Sequence, residues 1–270
     1  MFDLARLEAE LDAALADTIF AGKLHFSPVT DSTNTDALAA ARRGGPHGSV
    51  YFADEQLAGR GRSDRVWHSA AGEGLYVSVL LRPQIPAARL PLLPLAAGLA
   101  VADAIRAVAG LAPGLIVDLR WPNDLLIGPR KAGGILVEAK TSGGSVDYAV
   151  VGIGINVHQR GFDSGLATLA TSLDIESGSR VSRQDLLVSL LKSLERETLA
   201  LLDPAAGKTI TQRVEQASTW VRGRRVEVHG PQACTGVTAG LDEHGFLLVR
   251  TAAGLVTVQT GGIRAAEMDE

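Results

Sequence analysis

Cysteine, aromatic residues and positive net charge are all scarce in this sequence of 270 residues. The single cysteine, Cys234, excludes an internal disulfide bond. Aromatic residues make up only 4% of the chain, so the core must consist mainly of Leu, Val, Ala and Ile. The formal net charge of −4 argues against a large nucleic-acid-binding surface. The six histidines show no paired metal-ligand spacing, and no metal site is predicted.

Signals for export or membrane insertion are also missing from the sequence. The N-terminal segment "MFDLARLEAELDAALADTIF" has acidic residues throughout, unlike the cationic-then-apolar order of a signal peptide. The longest uncharged apolar run, Leu90–Ala102, contains Pro91 and Pro94 and is expected to be too short to span a bilayer. With 46% hydrophobic and 21% charged residues, the composition predicts a packed protein, and we expect it in the cytoplasm without a membrane partner.

Apolar periodicity predicts an α+β domain followed by a small all-β barrel. Short strand patterns separated by glycine turns begin after Trp220, so the predicted domains are residues 1–221 and 222–270. Helices are predicted at Leu4–Ala16, after Ser32, in "LPLLPLAAGLAVADAIRAVAG", at Ser182–Leu202 and at Lys208–Ser218, and strands at "GSVYFADEQ", "GLYVSVLLR", "KAGGILVEAK" and "VDYAVVGIGINV".

The segment "ADEQLAGRGRSDRVWHS" concentrates positive charge between two predicted strands. Gly59 and Gly61 alternate with Arg60 and Arg62. Glycine amides can approach a phosphate closely, and guanidinium groups make forked, charge-assisted contacts with anions. A solvated flexible loop is the alternative interpretation, because arginine is common on surfaces. The alternation of glycine and arginine between buried strands favours an anionic ligand.

Three further segments carry polar residues at positions typical of ligand sites. Ser32-Thr33-Asn34 is a predicted helix N-cap, with Thr33 and Asp36 approximating a capping box, although such groups at a helix start also bind ligand carbonyls. Arg120–Asp124, "RWPND", predicts a hairpin tip of unusual composition. Lys131 is either a solubilising strand end or a site residue, and Asn156 either ends a strand or contacts a ligand.

Taken in order, these segments resemble the biotin protein ligases, also called biotin–[acetyl-CoA-carboxylase] ligases. The resemblance rests on Ser32–Asn34, on Gln56–Arg62 extended to Trp67, on "RWPND", and on residues 130–138 with 152–156. It implies a class II synthetase-like biotin/lipoate ligase domain, in which a mixed β-sheet is flanked by helices, with a small C-terminal barrel. It also implies that the enzyme activates biotin with ATP and Mg²⁺ as biotinyl-5′-AMP. The biotinyl group then passes to a lysine of a biotin carboxyl carrier protein domain.

The resemblance also assigns roles to individual residues. It places Asp124 in or beside the nucleotide half of the site. Because biotin and ATP are both anions, Lys131 and Arg62 are predicted as catalytic for their positive charge, and Asp124 is the candidate base for the acceptor lysine. On this reading the arginine segment is a lid over an anionic intermediate that water destroys. The implied biotin contacts are Ser32, Thr33, Asn34, Gln56, Arg60, Gly61, Arg62 and Lys131, and the implied nucleotide contacts are Trp67, Arg120, Asn123 and Asn156.

Two other functions remain open from the sequence. A lipoate-type ligase shares the general fold and the adenylation step, but no glycine-triplet lipoate signature is present. A non-catalytic biotin sensor would not require Lys131 or an intact Gly59–Arg62 segment. Only 31 residues precede Ser32, so neither a DNA-binding domain nor a DNA partner is expected. Both a monomer and a homodimer are compatible with the sequence.

Overall fold

A computed structural model describes residues 4–63, 65–112, 114–162 and 168–266 of the chain. Its larger part is a seven-stranded sheet with strand order β1-β2-β3-β7-β6-β5-β4. Strands β1 and β2 are parallel and all other neighbours are antiparallel, so the predicted mixed sheet is confirmed. The strands are β1 Leu24–Thr30, β2 Ser49–Gln56, β3 Gly74–Leu81, β4 Val117–Arg120, β5 Asp124–Ile127, β6 Arg130–Ser142 and β7 Ser145–Asn156.

Helices cover both faces of this sheet, and successive side chains of β3 enter the hydrophobic cores on opposite faces. Leu80 packs with Ala37 and Ala41 of the second helix, whereas Val79 and Leu81 join the main core on the opposite face. Strand β3 is buried at every position, which explains its nearly continuous apolar sequence. The helices are α1 Leu4–Ala14, α2 Thr33–Arg42, α3 Leu93–Val108, α4 Leu173–Ser177, α5 Arg183–Ala200 and α6 Ala206–Ala217.

The main core on the face opposite α2 is centred on α3. A 3₁₀ turn, Ala87–Leu92, leads directly into α3. The combined segment Ala87–Val108 is 22 residues long and, by length and composition alone, apolar enough to cross a membrane, although the uncharged run Leu90–Ala102 within it is shorter. Of the most apolar 18-residue window, 67% is buried inside the protein, where α3 packs against α5 and α6. The hydrophobicity of α3 is accounted for by this packing.

The all-β C-terminal module predicted from the glycine turns is confirmed as a five-stranded antiparallel sheet. Its strand order is β11-β10-β9-β8-β12. Trp121 joins it to the larger sheet, because its indole Nε1 donates to the carbonyl of Gly245 at 3.0 Å. The strands are β8 Arg222–His229, β9 Cys234–Leu241, β10 Leu247–Thr251, β11 Gly254–Val258 and β12 Gly262–Ala265.

Two elements have no counterpart in the sequence predictions. Strand β1 contains Pro28, which weakens a strand pattern, but β1 lies at the sheet edge and pairs only with β2, where proline is tolerated. Helix α4 has five residues, too few to show a helical period. Helix α1 ends at Ala14, two residues before the predicted end.

Candidate active site

Strands β6 and β7 provide a floor made of glycine on the face covered by α2. Gly134 of β6 pairs with Gly154 of β7, and Gly152 lies two residues further along the same face. A Cβ atom on Gly152 would overlap the side-chain amide of Asn34, and one on Gly154 would overlap the indole of Trp67. Both side chains therefore lie directly on the sheet, in the space that a side chain at position 152 or 154 would occupy. Two of the predicted site segments meet here.

A chain of hydrogen bonds connects the start of α2 to Ser69, which lies two residues after Trp67. The Ser78 hydroxyl donates to Oδ1 of Asn34 at 2.6 Å and lies 2.7 Å from the hydroxyl of Thr33. The Thr33 amide donates to Oε1 of Gln56 at 2.9 Å, and Nε2 of Gln56 donates to the hydroxyl of Ser69 at 2.7 Å. Since Ser78 and Asn34 are buried, these bonds fix the orientation of both side chains.

The predicted capping box at this helix start is wrong. Ser32 is the N-cap, but its side chain makes no capping bond, and Thr33 is the first helical residue. The Thr33 hydroxyl is occupied by Ser78 and Gln56 outside the helix. The carboxylate of Asp36 accepts a hydrogen bond from Thr30 instead. The Thr33 hydroxyl thus serves tertiary contacts rather than the helix end.

Glu138 is a site residue that the sequence analysis missed. One oxygen of its carboxylate accepts from Nδ2 of Asn34 at 2.8 Å and from Nη2 of Arg60 at 2.9 Å. Glu138 follows Gly134 and Leu136 at spacings of two along β6, so the three residues lie on the same face of the strand, the face of the glycine floor. The sequence neighbours of Glu138 give no clear signal, because β6 also carries Arg130, Lys131 and Lys140. Ser78, a single hydroxyl within the apolar strand β3, was missed as well.

Residues 59–63 and 65–67, the two described parts of the arginine segment, pair as the arms of a small hairpin between β2 and β3. The Trp67 amide donates to the Gly59 carbonyl at 2.8 Å, and the Gly61 amide donates to the Arg65 carbonyl at 2.7 Å. A Cβ on Gly59 would overlap the Trp67 carbonyl, so this position requires glycine. Arg62 extends from the hairpin, and its Nη1 donates to Oδ1 of Asn123 at 3.1 Å. The hairpin therefore meets the "RWPND" turn.

Asp124 holds two cations at the edge of the site. Nζ of Lys131 lies 2.6 Å from its Oδ1, and Nη2 of Arg120 lies 2.6 Å from its Oδ2. Burial alone would raise the pKa of the Asp124 carboxyl, but the charges of Lys131 and Arg120 hold that pKa below its usual value. The Lys131 ammonium also lies 5.5 Å from the ring centroid of Trp67. Asp124 is a charged carboxylate that orients Lys131 towards Trp67.

Asn156 and Asn123 make structural contacts next to the same strand. The Asn156 side chain is buried and its Nδ2 donates to the Thr171 carbonyl at 3.0 Å. Backbone bonds in turn join residues 169–171 to Lys131. Nδ2 of Asn123 donates to the carbonyl of Ile135 at 2.8 Å, which supports β6 beyond its pairing with β5. Both amides hold the strand that carries Lys131.

A cavity of about 370 Å³ opens between the arginine hairpin, β6 and the C-terminal sheet. This volume is within the range of small-molecule sites. Its charged lining comprises the guanidinium groups of Arg60 and Arg62 and the carboxylate of Glu138. Of the residues assigned from the sequence, Asn123, Arg60, Gly61 and Arg62 line this cavity. Ser32, Thr33, Asn34, Gln56 and Trp67 lie along the adjoining glycine floor and its hydrogen-bond chain, with Ser32 buried at the α2 N-cap.

Comparison with known proteins identifies the family. A family model described as "Biotin/lipoate A/B protein ligase family" matches residues 26–156. A biotin–[acetyl-CoA-carboxylase] ligase from Mycobacterium tuberculosis is 31% identical over 272 residues, covering 97% of this chain and 98% of the relative. The chain belongs to the biotin/lipoate protein ligase family. A bifunctional ligase/repressor from Bacillus spizizenii is 33% identical over 259 residues, covering 95% of this chain and 78% of the relative.

The fold of the family is also that of the present structure. A biotin protein ligase from Aquifex aeolicus, solved in complex with biotin and ATP, superposes with a TM-score of 0.75 at 29% identity. The match covers 90% of this chain and 98% of the other. The fold class and family expected from the sequence motifs are therefore confirmed. The roles of the individual site residues stay predictions.

Proposed function

We propose that this protein is an ATP-dependent ligase that attaches biotin to a lysine of a biotin carboxyl carrier protein domain, such as that of acetyl-CoA carboxylase. The observation that carries this function is the meeting of three motifs at one site. The hydroxyl and amide groups at the start of α2, the arginine hairpin and Lys131 all border the glycine floor. Each motif belongs to the set of segments on which the sequence resemblance to the biotin protein ligases rests.

The first step joins two anions. A carboxylate oxygen of biotin attacks the α-phosphorus of ATP, the bond to the bridging oxygen breaks, and pyrophosphate leaves with its electron pair. Lys131 and Arg62 border the site with positive charge that offsets the repulsion and stabilises charge at the phosphate. ATP enters as its magnesium complex, and Mg²⁺ commonly binds through substrate phosphates with few protein ligands.

The second step transfers the acyl group. The ε-amine of the acceptor lysine attacks the acyl carbon of biotinyl-5′-AMP, AMP leaves, and the lysine loses a proton. A lowered pKa makes Asp124 a weak proton acceptor, so its contacts support a role in orienting Lys131 better than a role as the base. The assignment of Asp124 as the base stays a prediction. The arginine hairpin next to the cavity is suited to excluding water from the mixed anhydride.

We propose that residues 1–221 form the catalytic domain and that residues 222–270 form a supporting module. We propose a cytoplasmic enzyme, monomeric or homodimeric, that has no DNA partner. The net charge of −4 supports the last point. Trp67, Arg120, Asn123 and Asn156 are proposed for the nucleotide half of the site. Ser32, Thr33, Asn34, Gln56, Arg60 and Gly61 are proposed for the biotin half.

Exchange of labelled pyrophosphate into ATP tests this function, because it reports acyl-adenylate formation directly. We expect exchange that requires biotin and is not supported by lipoate. Equal exchange with lipoate would assign the protein to the lipoate branch of the family. Biotin binding without any exchange would support a non-catalytic biotin sensor. Transfer is then measured as biotin incorporated into a purified carrier domain.

A further inference from the structure

Arg62 is held by two different parts of the chain. Its Nη1 donates to Oδ1 of Asn123 at 3.1 Å and to the backbone carbonyl of Gly261 at 2.9 Å. Gly261 lies in the C-terminal module, directly before β12. Within the described ranges, neither Nε nor Nη2 of Arg62 has a hydrogen-bond partner in the protein. These two groups form the flat edge of the guanidinium that binds an anion in a fork.

The surroundings of Arg62 leave its charge available. Both of its hydrogen-bond acceptors are neutral, since one is an amide oxygen and the other a peptide carbonyl. Burial lowers the pKa of the Arg62 guanidinium, an effect that the Asp124 carboxylate opposes. A half-buried cation that borders a cavity and has no carboxylate partner among the described residues is suited to an anionic ligand. The orientation of this cation depends on its two neutral acceptors.

The Gly261 carbonyl is fixed by the C-terminal sheet. Gly261 has φ +128°, and a Cβ at this position would overlap the carbonyl of His229. The preceding residues are held by Gln232, whose Oε1 accepts from the amides of Gln259 at 2.7 Å and Thr260 at 3.4 Å. The following residue, Gly262, pairs with His229 in the sheet. The module thus presents a rigid acceptor to Arg62.

We propose that the C-terminal module is a positioning element of the active site, and that the Gly261 carbonyl holds Arg62 with its Nε and Nη2 edge towards the acyl-adenylate. This inference rests on the proposed ligase function and adds a role for the small module. Asn123 fixes one direction of the guanidinium and Gly261 fixes the other. Without Gly261 the guanidinium turns about the remaining bond, and the intermediate is held less well.

Gly261→Ala tests this role, with Gly262→Ala as the matched control. An alanine at position 261 forces the backbone to move, whereas a Cβ at position 262 meets nothing within 4 Å. The readout is the amount of biotinyl-5′-AMP trapped by hydroxylamine in solution for each carrier domain labelled. We expect this escape ratio to rise about fivefold in Gly261→Ala, roughly the effect of losing one hydrogen bond, and to stay unchanged in Gly262→Ala.

A double-mutant cycle with Arg62→Ala separates positioning from general destabilisation. Gly261→Ala is expected to add nothing to the escape ratio when Arg62 is absent. Equal effects of Gly261→Ala with and without Arg62, or a wild-type escape ratio in Gly261→Ala, would overturn the proposal. If Gly261→Ala does not fold, Gln232→Ala loosens the same carbonyl, and the same dependence on Arg62 is expected.

Pyrophosphate exchange and the escape ratio together distinguish a wrong function from a wrong role of Gly261. If the unchanged protein shows no biotin-dependent pyrophosphate exchange, the proposed function is wrong. If the unchanged protein exchanges pyrophosphate and the 261 variants retain the intermediate, only the positioning role is wrong.

Discussion

The side-chain amide of Asn34 donates to the carboxylate of Glu138 at 2.8 Å, and the same carboxylate oxygen accepts from Arg60 at 2.9 Å. A carboxylate at the edge of an anion-binding site would repel its ligands if it stood alone. The Arg60 guanidinium neutralises it, and the Asn34 amide is oriented in return. Glu138 thereby connects the start of α2 to the arginine hairpin across the glycine floor.

Glu138→Gln is expected to raise the KM for biotin about fivefold to tenfold with a smaller change in kcat. The amide oxygen of glutamine can keep the bonds from Asn34 and from Nη2 of Arg60, but its NH₂ group then faces Nη1 of Arg60. The second contact of Arg60, to the other oxygen at 3.4 Å, and the ion pair are therefore lost. Steady-state pyrophosphate exchange against biotin concentration measures the effect. Glu227→Gln, an exposed glutamate of the C-terminal sheet, is the control. A wild-type KM in Glu138→Gln would contradict the role of Glu138.

Replacement of Gly152 and of Gly154 by alanine is expected to weaken the binding of two different substrates. Gly152→Ala displaces Asn34 and should weaken biotin binding, whereas Gly154→Ala displaces Trp67 and should weaken ATP binding. We expect each to raise the corresponding KM about tenfold or more, because overpacking a tight contact is strongly unfavourable. Gly161→Ala, whose Cβ meets nothing within 4 Å, should behave like the wild type. Equal effects of both substitutions on both substrates would argue against two separate half-sites.

Lys131→Ala is expected to slow biotinyl-adenylate formation about 10²-fold to 10³-fold while biotin affinity changes little, because its charge acts where negative charge accumulates. Exchange kinetics and calorimetric titration with biotin measure the two quantities. Lys140→Ala removes a mostly exposed lysine from the same strand and is the control. A large loss of biotin affinity with normal turnover would show that Lys131 acts in binding instead.

Asp124→Asn is expected to lower stability in a pH-dependent manner. The folded-state pKa of Asp124 is depressed, so its ionised form stabilises the fold at any pH above its unfolded value of about 4. That contribution is lost as the pH falls below about 4 and through the folded-state pKa. Urea unfolding from pH 3 to 7 should therefore show a gap between wild type and Asp124→Asn that narrows at acidic pH. A gap that widens towards low pH would contradict the ion-pair interpretation.

Biotin and ATP together are expected to protect the arginine hairpin against trypsin. Without ligands, its contacts to Glu138, Asn123 and Gly261 are side-chain bonds that open readily. An anionic intermediate adds contacts that keep the hairpin closed. Cleavage after Arg60 and Arg65 should slow severalfold, as followed by mass spectrometry. Equal protection with and without ligands would mean that the hairpin is a preformed cradle and not a lid.

The elements that sequence patterns predicted are those whose patterns are local. Strand β3 and the strands of the C-terminal module have continuous or alternating apolar residues between turn signals, and all of them form. Strand β1 was missed because a proline and several polar residues are acceptable only through its place at the sheet edge. That place depends on pairing with β2, whose residues lie 26 positions further along the chain (Leu24 pairs with Val50), and no local pattern encodes such a pairing.

The site residues divide in the same way. Arg62 stands out because glycine and arginine alternate around it, whereas Lys131 was assigned only through the family resemblance. Ser78 and Glu138 have ordinary neighbours, and their importance comes from the register of β3, β6 and β7, which aligns Ser78 with Gly152 and places both opposite Asn34. The Gly261 carbonyl has no side chain to recognise at all. Contacts of this kind become visible only when the strands are placed in three dimensions.

The bond between Arg62 and Gly261 can form only late in the synthesis of each chain. The two residues are 199 positions apart, and translation at roughly 5–20 residues per second separates their synthesis by roughly 10 to 40 s. Asn123 follows Arg62 by 61 positions and Gly261 follows it by 199, so the contact with Asn123 is the first that synthesis allows. On the proposed mechanism, retention of the intermediate therefore requires the C-terminal module. Full control of the intermediate arrives only with the last strand.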